Sequence, residues 1–265
     1  MVSAQIAGII LAAGKGTRMN STIPKVLHKL GNSTLLEWVI NAMDKTHISD
    51  TCIVVGGDIA PFESLLNAYP SSRICVQNQR RGTGDAVAAA SLAFNLVKPP
   101  SFNDSTLIKG EKISADYCLI CAGDTPLIPS NILNQFIEST IASGAPLGVI
   151  GMEHPEPTGY GRLVLDEEGN LERIVEEKDA SDEIKNINLC NTGIVLAKTD
   201  VLFDLLDKLT IQNAQAEYYL TDCFELARKN SQKTFVFKSP DYNTFQGINT
   251  QQQLQDVEQW LNNNQ

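Results

Sequence analysis

The feature that most constrains the fold is a regular alternation of short apolar runs with amphipathic stretches. "IAGIILAA", "TCIVVGG", "RICVQ" and "DYCLICAG" are rich in Ile, Val and Cys and no longer than a strand. Runs that are apolar throughout suit strands covered on both faces, as in a parallel sheet. Between them, "TLLEWVINAMDKT", "APFESLLNAYP" and "GDAVAAASLAFNLV" carry apolar residues at helical spacing. This alternation predicts an α/β fold built on a mostly parallel sheet. In the second half, "GRLVLDEEGNLERIVEEKD" reads as a β-hairpin turning at Glu168 to Asn170, and "LCNTGIVLAK" as a further strand. "TDVLFDLLDKLT" and "EYYLTDCFELARKNS" read as helices, and "TQQQLQDVEQWLNNN" as a polar helix capped by Thr250. Residues 98–115 are polar with two prolines and read as a surface insertion, because a strong strand follows at once.

Charge narrows the partners. With 31 acidic and 21 basic side chains, the net charge of −10 speaks against a general role on nucleic acid or anionic membrane. No run approaches the roughly 20 apolar residues of a membrane span. "IAGIILAAG" is not read as a signal peptide, since no basic region precedes it and "KGTR" follows. Cys118 and Cys121 form a CxxC, but on a strand two residues three apart face opposite ways, so no metal or redox pair is expected. The six cysteines read as buried free thiols, which fits a cytoplasmic protein. The three histidines, at 28, 47 and 154, show no spacing for a catalytic triad or a metal cluster.

Against that acidity, "ILAAGKGTRMNSTIPKVLHKL" gathers Lys15, Arg18 and Lys25 beside a glycine-rich turn. It is not a P-loop: Ile9 stands at the first glycine position, and Gly16 at that of the Ser or Thr. It is not the dinucleotide fingerprint either, because Met19 replaces the third glycine. The physics still favours an anion: a buried strand ends at Ala13, and Gly14 and Gly16 let backbone N–H groups approach phosphate oxygens. Asp124 falls at the end of "YCLICAG", either as a turn residue of "GDTP" or as a hard oxygen ligand suited to Mg²⁺. "QNQRRGTGDAV" joins a strand to a helix, with Arg80 and Arg81 read as a solvated pair first and as an added pull on phosphate second.

"LAAGKGTRM" followed by "PKVLH" resembles the N-terminal signature of sugar-1-phosphate nucleotidyltransferases. The likeness is greatest to the uridylyltransferase domain of bifunctional N-acetylglucosamine-1-phosphate uridylyltransferase/glucosamine-1-phosphate acetyltransferases. "VQNQRRGTGDA", "GDTPLI", "PTGYGR", "IVEEKDAS", "NTGI", "AEYYLTD" and "GIN" continue the match in order across residues 8–249. The resemblance implies a Rossmann-like, GT-A-like three-layer α/β/α fold with a mixed, mostly parallel sheet and a β-hairpin sugar-binding subregion. It implies one nucleotidyltransferase domain over 1–265: a nucleotide-binding half over about 1–145, a sugar-binding half over about 146–250 and a C-terminal helix over 250–265. The family's acetyltransferase β-helix, with its trimerising role, is not expected here, and the oligomeric state stays open.

The implied reaction is transfer of a uridylyl group from UTP to a sugar 1-phosphate, N-acetylglucosamine 1-phosphate foremost, in cell-envelope biosynthesis. Arg18 and Lys25 would be catalytic. Leu11, Ala12, Ala13, Gly14, Lys15, Gly16, Gln77, Gly82, Thr83, Gly123 and Asp124 would bind nucleotide. Gly161, Glu176 and Asn191 would bind sugar, and Asp124 and Asn249 would hold Mg²⁺. Tyr218, Tyr219 and Asp222 would support the fold. Two departures, Ala122 for a common tyrosine and Asp85 for a common histidine, leave base and sugar open. A cytidylyl- or thymidylyltransferase is therefore the second reading. A nucleotide-sugar-binding regulator without turnover is the third, and the presence of Arg18, Lys25, Asp124 and Asn249 speaks against it.

Overall fold

The computed structural model describes residues 4–239 and 241–264; residues 1–3, 240 and 265 of the expected 1–265 domain lie outside the described residues. In chain order the strands are β1 (Ile6–Ala12), β2 (Lys29–Leu30), β3 (Ser33–Thr34), β4 (Ile48–Gly56), β5 (Arg73–Gln77), β6 (Ser105–Lys109), β7 (Tyr117–Ala122), β8 (Leu147–Glu153), β9 (Arg162–Leu165), β10 (Leu171–Val175), β11 (Leu189–Lys198) and β12 (Thr234–Ser239). The helices are α1 (Leu35–Asp44), α2 (Glu63–Ala68), α3 (Thr83–Ala90), α4 (Ser130–Ser143), α5 (Asp182–Lys185), α6 (Thr199–Leu206), α7 (Asp222–Lys229) and α8 (Gln251–Asn264).

Ten strands form one mixed sheet in the order β10-β9-β11-β7-β1-β4-β5-β6, with β8 on β11 and β12 on β8. The centre is parallel: β7, β1, β4 and β5 all run the same way. β6 and β11 pair antiparallel on either side of that block. The expected hairpin is β9–β10; Asp166 holds its turn by accepting from the backbone of Glu168 and Asn170.

Alternation along each strand divides the core in two. Ala7 and Ile9 of β1, Cys52 and Val54 of β4, and Cys118 and Ile120 of β7 face α3, α6 and α7. Ile10, Ile53, Val55, Leu119 and Cys121 face α1, α2 and α4. This is the three-layer arrangement, and each fully buried Ile or Leu contributes roughly 1.5–3 kcal/mol to it. Cys118 and Cys121 lie on opposite faces, and all six cysteines are free and buried. "IAGIILA" is the central strand of the domain.

Several elements differ from the sequence reading. Residues 98–115 contain the edge strand β6, whose alternating partial exposure disguises it as polar loop. The helix expected from Glu217 starts at Asp222, because the Tyr218 backbone instead receives Gly84 N–H (2.8 Å) and donates to Arg81 O (2.7 Å). Helix α8 begins as expected, with Thr250 Oγ1 accepting from Gln253 N at 3.1 Å. Its Leu254 packs with Met19, Leu30 and Leu35. Among the described residues no helix is long and apolar enough to cross a membrane.

Candidate active site

Strand β1 lies between β4 and β7, so the chain departs from it in opposite directions. An open α/β sheet leaves a crevice at the carboxyl ends of strands at such a switch point. The segment after β1 contains no α-helix until α1; it holds two short 3-10 turns, Thr17–Met19 and Lys25–Leu27. Gly16 takes a left-handed conformation, and a Cβ there would lie 2.6 Å from Lys25 Cβ. The glycine loop therefore rests directly on the stem of Lys25. Helix α1 closes its own N-terminus with a Thr34–Glu37 capping box, which leaves anion binding to the loop.

The segment after β7 is tied to both sides of this crevice. Gly123 N–H donates to Leu11 O at 2.9 Å, and Ile248 N–H donates to Asp124 O at 2.9 Å. Asn249 donates its Nδ2 to Gly247 O (3.1 Å) and its backbone N–H to Gln253 Oε1 (2.7 Å), which orients its carbonyl oxygen. Lys25 Nζ donates to Asp124 Oδ2 and, at 2.9 Å, to Asn249 Oδ1; Arg18 Nη2 reaches the same Oδ1 at 3.0 Å. The structure thus brings Arg18, Lys25, Asp124 and Asn249 into one cluster.

That cluster fits Mg²⁺. Two oxygens, one carboxylate and one amide, converge on a single cationic atom, the Lys25 ammonium, as they would on a small hard cation. No group of three or more His, Cys, Asp or Glu gathers at a metal-binding spacing among the described residues. One carboxylate and one amide suit an ion that keeps water and phosphate oxygens.

Beside the cluster opens a cavity of about 390 Å³. Leu11, Ala13, Gly14 and Lys15 line it together with Lys25, Gln77, Gly82, Thr83 and Asp124. Ala12 is buried at the end of β1 and is not among the residues that line the cavity. Thr83 Oγ1 accepts from Leu220 N at 3.0 Å, so this residue offers the cavity its backbone more than its hydroxyl. Gly82 must be glycine: its φ is +108°, and a Cβ would lie 2.5 Å from Tyr218 O.

Of the Arg80–Arg81 pair, Arg80 is exposed as expected, although it donates to Gly56 O at 3.0 Å and lines the cavity; Arg81 is the one that departs from a solvated reading. Arg81 pairs with Asp85 at 2.8 Å, donates to Phe102 O at 2.6 Å, and lies beside the stacked rings of Phe102 and Tyr218.

Gly161, Glu176 and Asn191 form a second cluster. Asn191 N–H donates to Gly161 O at 2.8 Å, and a Cβ on Gly161 would meet Glu176 Oε2 at 3.4 Å. Asn191 Oδ1 accepts from Gly193 N–H at 2.9 Å, where the β11–β8 register shifts. Glu176 accepts from Thr221 Oγ1 at 3.0 Å. Burial raises the Glu176 carboxyl, the Thr221 bond opposes that, and Asp179 and Glu217 add repulsion. Its neighbour Glu177 instead pairs with the buried Arg162 at 2.8 Å.

Sequence reasoning missed Tyr160, whose phenol is raised first by burial and then by the charges of Cys190 and Asp124. Its place within "GYGR" was the available signal. It also missed Gln253 behind Asn249, and it marked Asp85 as a departure without placing it against Gln77.

A profile of the MobA-like NTP transferase domain matches residues 8–185. The chain is 38% identical over 242 residues to bifunctional protein GlmU of Lactobacillus gasseri, covering 91% of this chain and 48% of that protein. It is 34% identical over 251 residues to bifunctional protein GlmU of Lactococcus lactis subsp. lactis, covering 94% and 50%. The chain therefore spans about half the length of the curated relatives it matches. UDP-glucose pyrophosphorylase complexed with UDP-glucose superposes with a TM-score of 0.73 at 18% identity, covering 98% of this chain and 100% of that one. The inositol-1-phosphate CTP transferase of T. maritima gives 0.66 at 15% identity, covering 98% and 96%. At these identities the two structures establish the α/β nucleotidyltransferase fold. The matched profile takes in the loop after β1, Lys25 and Asp124, and the chain belongs to the family of MobA-like NTP transferase domains.

Proposed function

We propose that this nucleotidyltransferase moves a uridylyl group from UTP to a sugar 1-phosphate, N-acetylglucosamine 1-phosphate foremost, with Mg²⁺ as cofactor. The observation that carries the reading is the convergence of Arg18, Lys25, Asp124 and Asn249 beside a cavity lined by Gln77. The similarity to GlmU proteins over nearly the whole chain supports it.

A phosphate oxygen of the sugar 1-phosphate attacks the α-phosphorus of UTP. One O–P bond forms there as the bond to the β-phosphate breaks, and pyrophosphate leaves. Phosphate monoesters have a second pKa of about 6, so the nucleophile is ionised near neutrality and needs no general base. Catalysis then rests on position and charge. Arg18 supplies a forked donor to the triphosphate, and Lys25 a compact charge to the reacting phosphates. The N–H groups around Gly14, Lys15 and Gly16 cradle phosphate oxygens. Asp124 and Asn249 would hold Mg²⁺, which when bound offsets phosphate charge. Gln77 and the Gly82–Thr83 backbone meet the base, and Gly161, Glu176 and Asn191 the sugar. In this reading residues 1–145 serve the nucleotide, 146–250 the sugar, and Gln253 of α8 holds Asn249 toward the site. Six buried free thiols suit a reducing cytoplasm.

Anion-exchange separation of the products of UTP and N-acetylglucosamine 1-phosphate tests the reading. UDP-N-acetylglucosamine should form only when both substrates are present. No nucleotide sugar from this acceptor or from other sugar 1-phosphates would overturn it.

A further inference from the structure

Gln77 ends β5 at the cavity and is 2% exposed. Its Nε2 donates to Gly82 O at 3.2 Å and to Asp85 Oδ2 at 2.6 Å. Both partners are oxygens that only accept. Turning the amide over would set Oε1 against them and lose both bonds. Among the described residues no donor reaches Oε1, which leaves it as the group this side chain offers to a ligand.

Asp85 is itself held. It is 2% exposed, in the first turn of α3. Its Oδ1 takes Arg81 Nη2 at 2.8 Å, and its Oδ2 takes the Arg81 backbone N–H at 3.3 Å. Phe102 O and the rings of Phe102 and Tyr218 fix the guanidinium in turn. A chain of contacts from the aromatic pair through Arg81 and Asp85 therefore decides which way one amide faces.

The consequence is chemical. An acceptor-only atom complements a pyrimidine that carries an imino N–H between two carbonyls, as uracil and thymine do. Cytosine presents a ring lone pair at that position, and the two acceptors repel. An amide free to turn would serve either base. We propose that Asp85 is a specificity-determining positioning residue: by fixing the Gln77 amide, it selects nucleotides whose base bears an imino N–H over cytidine nucleotides. The proposal rests on reading this cavity as the nucleotide site.

The test is equilibrium binding of UTP, CTP and N3-methyl-UTP to the wild-type protein and to Asp85→Asn, with turnover of each nucleotide beside it. Wild type should favour UTP over both others by about tenfold to a hundredfold, the worth of one buried hydrogen bond made or mismatched. In Asp85→Asn the new amide can donate to Gln77, so the UTP/CTP ratio should fall by about tenfold or more. A merely structural Asp85 would weaken UTP and CTP alike and leave that ratio unchanged, which overturns the inference while the uridylyltransferase reading stands. Should Asp85→Asn not fold, wild type alone decides: binding CTP or N3-methyl-UTP as well as UTP overturns the lock. Failure of wild type to bind any of the three overturns both readings.

Discussion

Replacing Gly16 by alanine asks whether the glycine loop sets the position of Lys25. Gly16 sits at φ +59°, ψ 29°, where an alanine costs roughly 1–2 kcal/mol. The added Cβ would stand 2.6 Å from Lys25 Cβ, where carbon atoms ordinarily approach to about 3.5–4.0 Å. Relief requires the loop or the Lys25 segment to retreat by about 1 Å. A misplacement of that size costs on the order of a hundredfold in rate. Thermal unfolding should fall by roughly 2–8 °C, at the few degrees per kcal/mol typical of chains near this length. Gly14→Ala is the control: nothing lies within 4 Å of its added Cβ, so its stability should stay within about 0.5 kcal/mol of wild type. Any loss there should appear in the KM for nucleotide, because only the approach of phosphate to the backbone is obstructed. Steady-state kinetics with differential scanning fluorimetry of both variants reads all four quantities. Wild-type kcat in Gly16→Ala, or an equal loss of kcat in both variants, would refute the coupling between loop and lysine.

Two further outcomes follow from the buried ionisable groups. The Asp222 carboxyl is pushed from 3.8 up to about 6 by burial, with repulsion from Glu225, Glu176 and Asp179. The folded state then holds a proton that the unfolded chain has released, so this group's contribution to stability is greatest below about pH 4 and is lost as pH rises to about 6. Partial exposure screens the effect to roughly 1 kcal/mol; Asp222→Asn should flatten that stretch of the stability–pH curve and stabilise the protein at pH 8, and an unchanged curve would contradict this. Burial also pushes Cys118 and Cys121 up to about 12. With all six thiols buried, the native protein should resist a thiol reagent at pH 8 and react only on unfolding; rapid native labelling would contradict it.

How much was legible in the sequence depended on whether a residue's partner is local. The parallel core was legible because β1, β4, β5 and β7 are covered on both faces and so are apolar throughout. The glycine loop was legible as an anion site because its cations and glycines are neighbours in sequence. Strand β8 was not, because "LGVIGME" is interrupted by Gly148 and Gly151, where a Cβ would meet Thr140 at 2.6 Å and Leu163 at 3.0 Å. Helix α4 and strand β12 also lay outside the elements read; β12 shows partly buried residues on both faces instead of a clean alternation. The start of α7 was misplaced because the Tyr218 backbone bonds to residues 81 and 84. The clustering of Arg18 with Asn249, 231 positions apart, came from the family resemblance and not from spacing. The hold of Asp85 on Gln77 joins a strand end to a helix, and only the folded chain shows it.

Pyrophosphate release from UTP and N-acetylglucosamine 1-phosphate, with Mg²⁺ and then with a chelator, in wild type, Lys25→Ala and Asp124→Ala, decides whether this cluster is a uridylyltransferase active site. Wild type should release pyrophosphate in a manner that depends on Mg²⁺ and on the sugar phosphate, and both variants should lose most turnover while their far-ultraviolet circular dichroism matches wild type. Release that is indifferent to chelator, or wild-type rates in both variants, would contradict that assignment.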